Sequence, residues 1–170
     1  MLTGFAGAFR RSEIAALNVS DLKFTEDGVI ANVRRSKADQ EGSGREVGIP
    51  WGAHPDTCPI RALRHWMEQA HIDDGSLFRG VDRHGNVSAR ALNEDSVGTI
   101  VKRALLRAGF SVENFGGHSL RSGHVTQASL NGISEFVIMK QTGHVSPTTL
   151  RKYIRMGEIF RINAAAGLGL

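Results

Sequence analysis

The chain has 170 residues, enough for one ordinary domain that buries roughly two-thirds of its unfolded surface without a metal or disulfide. Hydrophobic residues at 41% and charged residues at 22% exclude a disordered or collagen-like chain, and no apolar run approaches the ~18 residues of a membrane span. The net charge is +4, and 16 of the 21 basic residues are arginine, whose planar fork grips phosphate oxygens in pairs, so a polyanionic partner is favoured.

Met1 to Arg11 lacks the apolar length of a secretory signal. The single cysteine, Cys58, permits neither an internal disulfide nor a cysteine zinc site, which fits a reducing cytosol. In chain order, Ile14 and Leu17 follow a basic, serine-containing turn and predict a short helix from about Arg10. The turn signal Glu26-Asp27-Gly28 before the alternating stretch Val29 to Arg35 predicts a hairpin. Ser36 to Arg45 is polar and glycine-bearing, an expected exposed loop, and Glu46 to Pro50 an expected return strand. Asp56 or Thr57, with Pro59 at the first helical position, predicts a helix running to about His71.

Gly75 to Arg90 reads as a loop, and Glu94 to Ala108 as an amphipathic helix closed by Gly109. Shorter helices are expected near His118–Leu130, Ser134–Gln141 and Pro147–Arg155, with another from Glu158. Gly116-Gly117 reads as a turn. The expected fold is therefore mostly α with a small antiparallel β-sheet, an α+β domain.

The sequence carries no zinc, calcium or nucleotide-binding motif, and His54, His65, His71, His84 and His124 have no metal-ligand spacing. What stands out is an ordered set of polar residues. Arg10-Arg11-Ser12-Glu13 opens a helix, Lys37 sits at a hairpin tip, His118-Ser119-Leu120-Arg121 opens another helix, and Gly143-His144 ends a third. The only tyrosine, Tyr153, lies nine residues beyond His144. From this composition an Arg-x-Ser-Glu string, a His-x-x-Arg and a lone tyrosine nine residues after a histidine coincide by chance with a probability on the order of two in a thousand.

This constellation resembles the tyrosine recombinase (phage integrase) family over essentially the whole chain, as that family's catalytic domain. Arg10 matches the first catalytic arginine of the family's Arg-x-Ser-Glu box and Glu13 its supporting acid. Lys37 looks like the β-hairpin lysine, His118 and Arg121 match the His-x-Leu-Arg box, His144 the Gly-His position, and Tyr153 the nucleophile. Thr142 stands where many members have leucine, and the family's N-terminal DNA-clamping domain is expected to be absent from residues 1–170.

Elementary chemistry agrees with that assignment. Direct attack on a DNA phosphodiester places extra negative charge on five-coordinate phosphorus. Arg10 and Arg121 can neutralise it as fixed guanidinium donors, with His144 adding a hydrogen bond to a non-bridging oxygen. Tyr153 supplies the only phenol for covalent attack, His118 is the candidate base, and Lys37 the candidate acid for the departing 5′ oxygen. Glu13 is expected to orient His118 or Arg10 rather than touch substrate. No cofactor and no metal are expected.

The resemblance implies a site-specific recombinase or integrase that cuts and rejoins double-stranded DNA through a 3′-phosphotyrosyl link. It further implies a homotetramer on DNA, a monomer without it, and a bacterial or phage-encoded protein at the cytoplasmic nucleoid rather than at a membrane. Arg34, Arg35, Lys102, Arg103 and Arg107 are expected phosphate contacts, or else solvated surface. The tail from Met156 to Leu170 has an apolar face that could pack on a neighbour or fold back in cis. Three alternatives stay open: a topoisomerase-like nicking and closing enzyme, a DNA-binding module without strand transfer, and a fragment of a longer chain.

Overall fold

Two apolar alternations decide how the N-terminal half folds. In the computed structural model, which describes residues 1–34, 44–158 and 168, strands β1 (Leu22–Phe24), β2 (Gly28–Val33) and β3 (Arg45–Pro50) form an antiparallel sheet in the order β1-β2-β3. Val29 pairs with Ile49, Ala31 with Val47 and Val33 with Arg45. Residues two apart share a face, so Val29, Ala31, Val33, Val47 and Ile49 all enter the core, and the register carries Arg45 to that same side. The exposed loop expected up to Arg45 is corrected here: Arg45 begins β3, and its side chain is only 16% exposed.

Around this sheet pack α1 (Leu2–Ala6), α2 (Arg11–Ala16), α3 (Pro59–Gln69) and α4 (Glu94–Arg107). Phe9, Ile14, Leu17, Ile60, Leu63, Leu77, Val97, Val101 and Leu120 complete the main core. Helix α3 starts at Pro59 as the missing donor dictates, but Cys58 is its N-cap; Asp56 and Thr57 belong to a separate 3₁₀ turn, Pro55–Thr57. Asn93 caps α4 by accepting a hydrogen bond from the Asp95 N–H, and Gly109, just beyond Ala108, takes φ 80°, a conformation that suits glycine after a helix. A second antiparallel hairpin, β4 (Arg79–Val81) and β5 (Val87–Ala91), occupies the stretch expected to be a loop.

The C-terminal helices are α5 (Ser119–Leu130), α6 (Glu135–Thr142) and α7 (Pro147–Glu158). Val125, Ile138 and Leu150 form a second small core, against which Ala128, Met139 and Tyr153 pack. Helix α5 joins the two halves: Leu120 enters the main core and Val125 the smaller one. The expected helix from Glu158 and most of the tail beyond it lie outside the described residues.

Candidate active site

The polypeptide turn at Gly116-Gly117 is closed by the Gly116 N–H donating to Ser119 Oγ at 2.9 Å, which sets His118 at the N-cap of α5. The His118 side chain makes no capping bond there. Its Nε2 instead lies 2.7 Å from the Tyr153 hydroxyl, donated from α7. Two contacts hold α7 in place for this meeting: Leu150 is fully buried against α5 and α6, and the Thr126 hydroxyl donates to the Tyr153 carbonyl at 3.3 Å.

One turn further along α5, Arg121 is 1% exposed. Its Nη1 donates to the Ala8 carbonyl at 2.8 Å, and its Nη2 lies 3.3 Å from His144 Nε2. Ala8 has φ 50°, a left-handed conformation that costs a non-glycine residue about 1 kcal/mol and is held here by complete burial. His144 follows Gly143, whose φ of 67° ends α6 in a left-handed cap. On its other side His144 Nδ1 lies 2.7 Å from Thr142 Oγ1.

Glu13, 3% exposed, ties the third arginine to the site. One carboxylate oxygen accepts from Arg10 Nη1 at 2.6 Å; the other accepts from the Arg10 backbone N–H and from Arg45 Nη2, each at 2.9 Å. Arg45 Nη1 donates to the Gln141 carbonyl at 2.9 Å, and Gln141 Nε2 donates to the carbonyls of Ala6 and Gly48 at 3.1 Å each. Glu13 thus orients Arg10 and ties α2 to β3 through Arg45, which in turn joins β3 to the end of α6; among the described contacts Glu13 does not reach His118. Arg45 Nε is buried without a described partner.

The electrostatics follow from three guanidinium groups sharing a half-buried cleft. Burial and then the charges of Arg121 and Arg10 hold His118 below the ordinary histidine value. Burial, followed by Arg121, Arg10, His118 and Arg45, lowers His144 to about 4. Burial and then Arg10 lower Arg121 to about 10, so it stays cationic at neutral pH. Two neutral imidazoles beside fixed cations can accept a proton and welcome an anion.

The structure therefore brings together five of the predicted residues, Arg10, His118, Arg121, His144 and Tyr153, with Glu13 supporting. Lys37 and Arg35 lie outside the described residues. Arg34 is engaged by the buried Asp21 carboxylate, and its Nη2 donates to the Ser20 hydroxyl at 3.0 Å, which pins the end of β2. Lys102, Arg103 and Arg107 are exposed along α4, and no described hydrogen bond or ion pair joins them to the cluster. Among the described residues no group of three or more His, Cys, Asp or Glu is arranged to hold a metal.

Sequence reasoning missed Arg45, Gln141 and the hydroxyl of Thr142. Arg45 had a usable signal, since strand alternation places it with Val47 and Ile49; the other two depend on contacts between elements.

The profile of the phage integrase family matches residues 2–158. The chain belongs to that family. An integrase/recombinase XerD homolog of Selenomonas ruminantium is 42% identical over 161 residues, covering 95% of this chain. The chain spans about half of that relative, 47% of its length. Among solved structures, the XerH site-specific recombinase bound to a palindromic difH substrate superposes with a TM-score of 0.72 at 20% identity, covering 99% of this chain and 44% of that one. The XerA recombinase does so with a TM-score of 0.66 at 22% identity, covering 98% and 54% respectively. These two likenesses carry the fold: the family's catalytic-domain architecture is shared at low identity.

Proposed function

We propose that residues 1–170 act as a single catalytic domain of a site-specific DNA recombinase or integrase, in which Tyr153 cuts one strand of double-stranded DNA. The observation that carries this reading is the 2.7 Å contact between Tyr153 Oη and His118 Nε2, beside the buried Arg121 and the Glu13-held Arg10. Tyr153 Oη attacks the phosphorus, forming the P–O(Tyr) bond while the P–O5′ bond breaks. The phenolic proton passes to neutral His118, and the departing 5′ oxygen takes a proton from Lys37. Arg10 and Arg121 stabilise the charge gathering on the non-bridging oxygens, and His144 donates to one of them. A 5′-hydroxyl from a partner duplex then reverses these steps and releases Tyr153.

Strand exchange between two duplexes places four copies of the chain on DNA, with a monomer before binding, in the bacterial or phage-infected cytoplasm. Lys102, Arg103 and Arg107 supply phosphate contacts from α4; Arg34 is committed to Asp21 and contributes less.

The test is trapping on nicked suicide duplexes drawn from DNA flanking the gene. The expected result is a protein–DNA adduct that survives denaturation with the wild type and is absent with Tyr153→Phe. Binding without an adduct would replace this reading with a DNA-binding module, and relaxation of supercoils without a partner site would replace it with a topoisomerase.

A further inference from the structure

Thr142 is completely buried at the end of α6, yet it is polar, and its hydroxyl touches three groups. Oγ1 lies 2.8 Å from the Ile138 carbonyl, 3.3 Å from the Met139 carbonyl and 2.7 Å from His144 Nδ1. A threonine hydroxyl has one proton, and carbonyls only accept, so that proton is spent on the backbone of α6. Toward His144, Oγ1 can therefore only accept, and His144 Nδ1 must carry a hydrogen. The opposite ring nitrogen gives the same answer independently: Nε2 faces Arg121 Nη2 at 3.3 Å, and a guanidinium only donates. In the free protein His144 thus holds its proton on Nδ1 and turns a bare Nε2 toward the cationic cleft.

That tautomer cannot donate to a phosphate oxygen arriving at Nε2. We propose that Thr142 is a positioning residue that fixes His144 as the Nδ1–H tautomer, so that engaging a phosphoryl anion requires His144 to take up a second proton, on Nε2, from solvent. The imidazolium then donates from Nδ1 to Thr142 and from Nε2 to the anion, and the proton leaves with the anion. The groups facing His144 are Arg121 and His118 from α5, Arg10 at the start of α2, Arg45 from β3, and Tyr153 from α7 at a ring separation of 6.3 Å. Burial, and then the three guanidinium groups and His118, keep the ring neutral until an anion offsets those charges; Arg121 lies within hydrogen-bonding distance of it. Without the hydroxyl, neutral His144 can move its proton to Nε2 and donate without uptake. The inference deepens the phosphoryl-transfer reading of this site and rests on it, but its first test does not require DNA.

The experiment is ¹⁵N-histidine NMR of the chain, titrated with inorganic sulfate, a dianion across the working pH range. In wild type, His144 should show Nδ1–H with a bare Nε2 when free, and sulfate should raise its pKa by at least about one unit to the doubly protonated ring. Thr142→Val, with sulfate, should show the neutral Nε2–H tautomer and a smaller pKa rise, and Thr142→Ser should restore the wild-type pattern. A free wild-type ring with its proton on Nε2, or a Thr142→Val ring that matches wild type in both states, overturns the proposal. In the suicide-substrate assay, wild-type cleavage should decline on the alkaline side, where the second proton is lost, and Thr142→Val should lack that limb. A wild type that forms no adduct but shows the expected tautomers would sink the recombinase reading while leaving the role of Thr142 intact.

Discussion

The Tyr153 hydroxyl meets His118 Nε2 at 2.7 Å across thirty-five residues of chain. Neither residue is held there by its own helix alone. His118 is set by the Gly116-Gly117 turn, and Tyr153 by the small core of Val125, Ile138 and Leu150.

This pairing has a pH signature. As the proposed base His118 must be neutral to receive the phenolic proton, and burial, then the nearby arginines, hold its pKa below 6.5. Cleavage should rise with pH through a point below that value, and His118→Gln should reduce the rate about 10²- to 10⁴-fold. Stability should follow the same sign. The folded values of His118 and His144 are depressed, so the unfolded chain binds protons first, and stability is lost as pH falls from 6.5 toward about 4. Thermal melts across that window check this, and His144→Gln should flatten the loss.

Removing Glu13 should damage both fold and reaction. It pairs with both Arg10 and Arg45 from a nearly inaccessible position, with 1% of its side chain exposed. Glu13→Gln removes the carboxylate charge that Arg10 and Arg45 share, at a cost of about 3 kcal/mol by denaturant unfolding. Adduct formation should fall further than lost folding explains, because Arg10 is no longer aimed.

Gly143 joins α6 to His144 in a conformation that favours glycine, with φ 67°. A Cβ there would also approach Arg45 Cδ and Nε to 2.9 Å. Gly143→Ala should therefore cost about 1–2 kcal/mol in unfolding experiments. Cleavage should drop more steeply than that, since Arg45 holds the Glu13 carboxylate that aims Arg10, and Gly143 sets the position of His144.

The proposed contacts on α4 predict a change in salt dependence. If Lys102, Arg103 and Arg107 each meet a phosphate, replacing all three with alanine should make the slope of log affinity against log salt shallower by about 0.9 per contact. Unchanged slope with unchanged affinity would return them to plain solvated surface.

Much of this cluster is legible in the sequence itself. Arg10, Glu13, His118, Arg121, His144 and Tyr153 lie in short local strings whose spacing survives in one dimension, and the helices that carry α4 to α7 have clear periodicity or caps. What was illegible depends on meetings between distant elements. Arg45 acquires its role only when β3 registers against β2 and its guanidinium reaches Gln141, ninety-six residues away. The hydroxyl of Thr142 gains meaning only beside a folded-back imidazole. The β4–β5 hairpin escaped notice because most of β5 is exposed and therefore lacks apolar alternation. Helix α1 is five residues long and buries Thr3 and Gly4, too little for a helical period to emerge.

The most direct test of the account is tandem mass spectrometry of the trapped adduct after nuclease and protease digestion. The account predicts a nucleotide on the peptide containing Tyr153, joined to the phenolic oxygen. A nucleotide on a serine, on a histidine or on any other peptide would contradict it.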